Sequence, residues 1–276
     1  MKVINLFNIF LKSYKNNSPK EYYNSYPFFF NHYYKYWARD SNKNSIFKNH
    51  NLNNLNKNIK IIKKILPKII KIFQNYKISL KDLEIILFVG QNVSNGHVFL
   101  DKDNKFKVWI PIETYNTEKL ALVFITHEII HFLHYKNNKN FYFKSLKEKN
   151  KINRQIITEG IATFLTKKIL NIKTETALWA DFLSHKEKKI WIGKCDNNIK
   201  KLSKIALDNL DKSNNIKIFQ ANNPNNIFEF RGGYYLGFKV VEKIFNKHKI
   251  NYFNLLSISA KTFASTFKEE LYILTK

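Results

Sequence analysis

The chain is poor in residues that bend, cross-link or fork. One cysteine, Cys195, stands among 276 residues, which excludes an intrachain disulfide and an all-cysteine metal site. Only seven glycines and five prolines punctuate the length. That scarcity disfavours a many-stranded sandwich or barrel, which needs frequent turns. No apolar run approaches the ~18 residues that cross a bilayer; the best, Leu120 to Ile125, is soon interrupted. Arginine is scarce too: Arg39, Arg154 and Arg231 are the only three among 47 basic residues.

Against 21 acidic residues the balance is 47 − 21 = +26. Such a charge suits a polyanion, an anionic surface or an acidic substrate. Readers of phosphate and base edges, however, lean on the planar fork of arginine. Here 44 lysines lie scattered among many Asn and Ile, the mark of compositional drift, so nucleic acid is not the expected partner. What is present in quantity is apolar: 44% hydrophobic and 16% aromatic residues, enough for a sizeable core. Met1 to Leu11 has the crude outline of a secretory signal, but Asn5 and Asn8 break it and no small-residue cleavage site follows. It reads as a first helix, and a cytoplasmic chain is the expectation.

Residues 18–75 read as helical, starting at Ser18-Pro19-Lys20-Glu21, with Pro just inside the cap. The aromatic stretch Tyr22 to Trp37 reads as core packing. A later pattern sets Ile62, Leu66, Ile69 and Phe73 on one face, apart from Lys63, Lys64, Lys68 and Lys71, with Pro67 as a kink. From 84 the period changes. Glu84 to Val89 reads as a buried strand, Asn95-Gly96 as a turn, and His97–Asp101 with Phe106–Ile112 as a hairpin. Pro111 lacks an N–H, which places that last strand at a sheet edge. Two helices follow over 116–170, and 171–276 is mostly helical. The fold class is α+β, mainly helical, with a small antiparallel sheet.

Thr126-His127-Glu128-Ile129-Ile130-His131 contains H-E-x-x-H within an apolar helical pattern. Histidines four apart lie about 40° apart around a helix and about 6 Å along it, so both rings can meet one tetrahedral zinc. Glu128 can then reach water at the metal without being a ligand. His134 fails as a third ligand, because it lies about 10.5 Å along the axis from His127. The spacing H-E-x-x-H-x-x-G-x-x-H fails as well, since the chain has His134 and Asn137 where that pattern needs Gly and His. Glu159, in the helical pattern Thr158 to Leu165, fits better. If Asn153 caps that helix and it runs antiparallel to the first, Glu159 stands level with His131. Gly160 beside it suggests a close helix approach. Cys195, in a polar stretch, makes a poor nucleophile.

HEIIH followed 28 residues later by EGIA, after a strand hairpin, resembles the gluzincin type of zinc metallopeptidase. More narrowly it is similar to a family of predicted zinc-dependent proteases, whose C-terminal motif matches Arg231-Gly232-Gly233-Tyr234-Tyr235-Leu236-Gly237-Phe238. The resemblance covers roughly residues 84–276. It implies a zincin-like core over 81–170, an N-terminal helical region over 1–80, and a C-terminal helical subdomain over 171–276 that closes a cleft. It implies zinc (Zn2+) on His127, His131 and Glu159, with Glu128 as general base in peptide hydrolysis. It also implies that Arg231 and a phenol, Tyr234 or Tyr235, steady the negative oxygen, with Tyr234 favoured. The expected partner is a peptide or protein substrate, held along the edge strand Val108–Ile112. One departure is Thr163, where well-studied gluzincins often carry an acid. A competing reading is a catalytically silent zincin-like assembly module, related to lipoproteins of gliding machinery but without their lipid-attachment cysteine. A basic nucleic-acid binder is the third.

Overall fold

The computed structural model describes residues 1–213 and 217–276. Helix takes up 63% of the described residues, beside a four-stranded mixed sheet. The residues form two compact units, 1–132 and 133–276.

The first unit opens with strand β1 (Lys2–Asn5), then α1 (Phe7–Lys15), α2 (Pro19–Asn24), α3 (Pro27–Tyr36) and α4 (Leu52–Asn75). The expected helix over Met1–Leu11 is therefore a strand and a helix. The Asn5 side chain turns the chain between them, its Oδ1 accepting from the Phe7 N–H at 3.1 Å. Four residues are too few for a two-residue period to stand out from one apolar face of a helix. α2 begins as its sequence signals, with Ser18 at the N-cap, Pro19 at its first position and Glu21 in the first turn. α4 starts on Asn51, whose side chain accepts from the N–H groups of Asn53 and Asn54. It runs through Pro67, burying Ile62, Leu66, Ile69 and Phe73 and turning Lys63, Lys64, Lys68 and Lys71 to solvent.

The sheet has the order β1-β2-β4-β3, with β2 at Glu84–Phe88, β3 at His97–Leu100 and β4 at Phe106–Pro111. β1 and β4 both run parallel to β2, and only β3 is antiparallel. The expectation of an antiparallel sheet is thus corrected to a mixed one. A hairpin is legible locally, whereas a parallel pair forms through a long crossover, here α1 to α4 between β1 and β2. The edge placement of β4 is corrected as well. Val108 pairs with Ile85 on one side and Val98 on the other, so that strand is interior. Pro111 is tolerated because it pairs only with Phe88, beyond the end of β3. Strand pairing of a substrate along Val108–Ile112 therefore falls away.

One face of the sheet takes the aromatic stretch as core. The Phe29 ring meets Phe88 edge-on at 4.8 Å and Tyr33 meets Trp109 edge-on at 5.5 Å, the geometry that ring quadrupoles favour. Beside it Lys107, on β4, lies 2.5 Å from Asp101, 3.2 Å from Glu84 and 3.4 Å from Asp103. The Tyr26 hydroxyl donates to Asp101 at 2.5 Å. Helix α5 (Glu118–Asn137) follows and runs through the boundary between the units.

The second unit adds α6 (Leu146–Lys149), α7 (Ile152–Leu170), α8 (Thr174–Trp179), α9 (His185–Asn197), α10 (Ile199–Leu207), α11 (Gly232–His248), α12 (Tyr252–Ser257) and α13 (Ala260–Ile273). α7 is capped at Lys151, two residues before the expected Asn153, and ends on Asn171 in the left-handed conformation. α7 and α11 cross where Gly160 meets Gly237. A Cβ on Gly160 would stand 2.5 Å from the Gly237 carbonyl oxygen, and one on Gly237 would stand 2.4 Å from that of Ile156. No side chain fits there, so the close approach expected at Gly160 is what the backbone makes.

Candidate metal centre

α5 is buried nearly all round between Leu120 and Tyr135, so it is a core helix and not a surface one. Its first turn carries Glu118, matched to the positive helix end, and the Thr117 hydroxyl accepts from the Leu120 N–H at 3.1 Å. The four-residue spacing sets His127 and His131 one above the other on the same face. They are 4% and 1% exposed, and their Nε2 atoms stand 3.0 Å apart. Two nitrogens on a tetrahedral zinc at ~2.1 Å each would stand about 3.4 Å apart, so the pair is within a small adjustment of holding one.

Glu159 of α7 joins them. One donor atom from each of His127, His131 and Glu159 lies within 4.8 Å of the other two. Two imidazoles and one carboxylate form a donor set that zinc takes readily and that leaves a fourth position open. Among the described residues no other group of three or more such side chains converges in this way. His134 is not in the group. It is 1% exposed, with its ring 4.4 Å from Phe141 and 5.9 Å from Tyr135.

Glu128 is 6% exposed and rests against the chain at Gly96. Gly96 has φ +148°, and a Cβ there would stand 2.9 Å from the Glu128 Cγ, so this position needs glycine on both counts. Asn95-Gly96 reads in sequence as a turn, which does not disclose that contact. The signal lay in scarcity, since six of the seven glycines, all but Gly193, stand where an added Cβ would come within 3.0 Å of another atom. Tyr115 was missed too. Burial raises its pKa well above the ordinary phenol value, and the nearby carboxylates of Glu128 and Glu113 raise it further. His97, at the start of β3, holds its ring 6.3 Å from that of His131 and 4.4 Å from Trp37.

α7 carries Arg154 before Glu159 and Thr163 after it. Thr163 is buried on α7. Arg154, one and a half turns before Glu159, donates to the Tyr135 hydroxyl at 3.2 Å and to the carbonyls of Phe141, Glu148 and Lys149. Burial raises the Tyr135 pKa; Arg154 opposes that rise and Glu159 adds to it.

In the C-terminal motif Arg231 and Tyr234 come together. Arg231 caps α11 in the left-handed conformation, φ 58°, and its guanidinium carbon lies 4.3 Å from the Tyr234 ring centroid and 4.9 Å from that of Trp179. Tyr234 sits one turn before the Gly237 crossing onto α7. The two tyrosines part company here. Tyr235 is buried, and its hydroxyl donates to Asp196. Burial and then Asp196 raise its pKa. Cys195 is buried and its thiol pKa is raised by burial and by Asp196, the opposite of an activated nucleophile.

A model of the family described as predicted Zn-dependent protease (DUF2268) matches residues 59–265. No curated protein and no solved structure matches the chain. The matched span takes in H-E-x-x-H, Glu159 and the motif from Arg231 to Phe238.

Proposed function

The chain belongs to the family of predicted Zn-dependent proteases, and from that premise we propose that it is a gluzincin-like peptidase with a zincin-like core. The observation that carries the reading is the convergence of His127, His131 and Glu159, with Glu128 next to His127 in the sequence. Those three donors would hold zinc, and bound there it would polarise a scissile carbonyl and make water more acidic.

Everything else falls to the chain's own groups. Glu128, next to His127 and not in the ligand set, accepts the proton of the attacking water and delivers it to the departing amine nitrogen. Its burial keeps bulk water from competing for that proton. Arg231 and Tyr234, which stack on each other, are assigned in this reading as the cation and phenol that stabilise the oxygen on which charge develops. Tyr235 is assigned to structure, because its hydroxyl is committed to Asp196. The substrate is a peptide or protein.

Cleavage of a mixed-sequence fluorogenic peptide pool by the zinc-loaded protein tests the reading. Glu128→Gln should lower turnover by about 10²–10⁴-fold while zinc content stays at the wild-type level. Unchanged turnover in that variant refutes the role of Glu128. A wild-type chain that holds zinc yet cleaves nothing in the pool supports the silent binding module instead.

A further inference from the structure

Glu113, Thr114 and Tyr115 follow β4 in one short 3-10 turn and its cap. Each of the three reaches the loop that joins β2 to β3. The Glu113 carboxylate accepts from the Gly90 N–H at 3.0 Å and from the Asn92 N–H at 3.3 Å. The Thr114 hydroxyl donates to the Ser94 carbonyl at 3.4 Å, and the Tyr115 hydroxyl donates to that of Asn95. Three consecutive residues thus hold the loop at its start, middle and end.

The start of the loop is held from the other side as well. The Tyr22 hydroxyl accepts from the Val89 N–H at 2.7 Å and donates to the Val89 carbonyl at 3.1 Å. The Gln91 N–H donates to the Tyr33 hydroxyl at 2.8 Å, and His50 Nε2 lies 2.7 Å from the Gly90 carbonyl. A loop of seven residues would otherwise sample many conformations, and each of these bonds removes some of them. The segment ends on Gly96, which lies against the Cγ of Glu128.

We propose that Glu113, Thr114 and Tyr115 form a clasp that holds the Gly90–Gly96 loop as a wall against Glu128 and so fixes the direction of its carboxylate. The clasp residues are positioning residues and touch no substrate. Tyr115 is the most direct of them, because it bonds the residue next to Gly96 and its hydroxyl lies within the electrostatic reach of Glu128. This role rests on reading Glu128 as the proton acceptor of a metal site.

Cobalt-loaded protein titrated with acetohydroxamic acid, followed by visible absorption, tests the clasp without any need for a substrate. A hydroxamic acid gives its O–H proton to a carboxylate as it binds, leaving a hydroxamate anion and a neutral carboxyl, so its affinity reads the placement of Glu128. Glu128→Gln sets the full loss. Tyr115→Phe, which keeps the ring and removes one hydrogen bond, should weaken acetohydroxamate about 5-fold while cobalt affinity stays unchanged. Gly96→Ala, whose new Cβ would press on Glu128, should weaken it at least as much. If Gly96→Ala does not fold, Tyr115→Phe decides alone. Wild-type acetohydroxamate affinity in Tyr115→Phe, or a parallel fall in cobalt affinity, overturns the clasp and leaves the metal site standing. A wild-type protein that takes up no cobalt overturns the metal site, and the clasp with it.

Discussion

Lys107 lies in one buried group of ionisable side chains and His127 in another, and the chain builds the two differently. The first contains its own cation. The ammonium of Lys107 stands among Asp101, Glu84 and Asp103, and the Tyr26 hydroxyl completes the hydrogen bonding. The second gathers lone-pair donors: two imidazole nitrogens 3.0 Å apart and the Glu159 carboxylate within reach. A group whose charges close on themselves holds structure together. A group that converges donors on one point is built to receive something.

The sharpest break between the two comes from removing one charge in each. Lys107→Met leaves buried Asp101 and half-buried Glu84 without their partner, and should cost about 3–5 kcal/mol of folding stability. Glu128→Gln should cost turnover and shift stability by no more than about 1 kcal/mol. Urea unfolding of both variants checks the contrast, and a large destabilisation by Glu128→Gln would erase it.

The Lys107 effect carries a pH signature. Burial by itself would raise the Asp101 pKa; hydrogen bonds from Lys107, Tyr26 and the Lys102 N–H outweigh it and hold the carboxyl below its ordinary value. That stabilisation is present above the unfolded pKa of about 3.9 and is lost as pH falls through the lower folded value. The gap between wild type and Lys107→Met should therefore narrow below about pH 4.

Gly160→Ala asks how much the donor group depends on its frame. Alanine is favoured over glycine in a helix by about 1 kcal/mol. Here its Cβ would stand 2.5 Å from the Gly237 carbonyl oxygen, an overpacking that costs about 1–3 kcal/mol and wins. Lower stability with weaker zinc binding is the expected outcome, read by thermal unfolding and chelator competition. The smallest effect is Tyr26→Phe, which removes one hydrogen bond from the self-contained group. Burial and Asp101 push the Tyr26 pKa up to about 12, so the hydroxyl stays a donor to Asp101 at neutral pH. Its loss should cost about 1 kcal/mol with no change in zinc content.

What could be read from sequence follows the range of each interaction. His127 and His131 were legible because both lie on one helix, where spacing alone fixes geometry. α4 was legible because its buried and lysine faces repeat at the helical period. Glu159 is legible only on the assumption that its helix runs antiparallel to that of the histidines. The structure sets Glu159 within reach of the two histidines, on a helix that starts at Ile152 rather than after Asn153. The sheet was read only as far as its hairpin, since β1 lies far from β2 in sequence and its parallel pairing leaves no local trace. The wall against Glu128 was hidden for the same reason, because Tyr115 and Asn95 are twenty residues apart and meet only in the folded loop.

Zinc content tests the central claim most directly. Wild-type protein dialysed against zinc and then against metal-free buffer should retain one zinc per chain by elemental analysis, and His131→Ala and Glu159→Ala should retain almost none while staying folded. Retention by all three alike, or by none, would contradict a metal centre built from His127, His131 and Glu159.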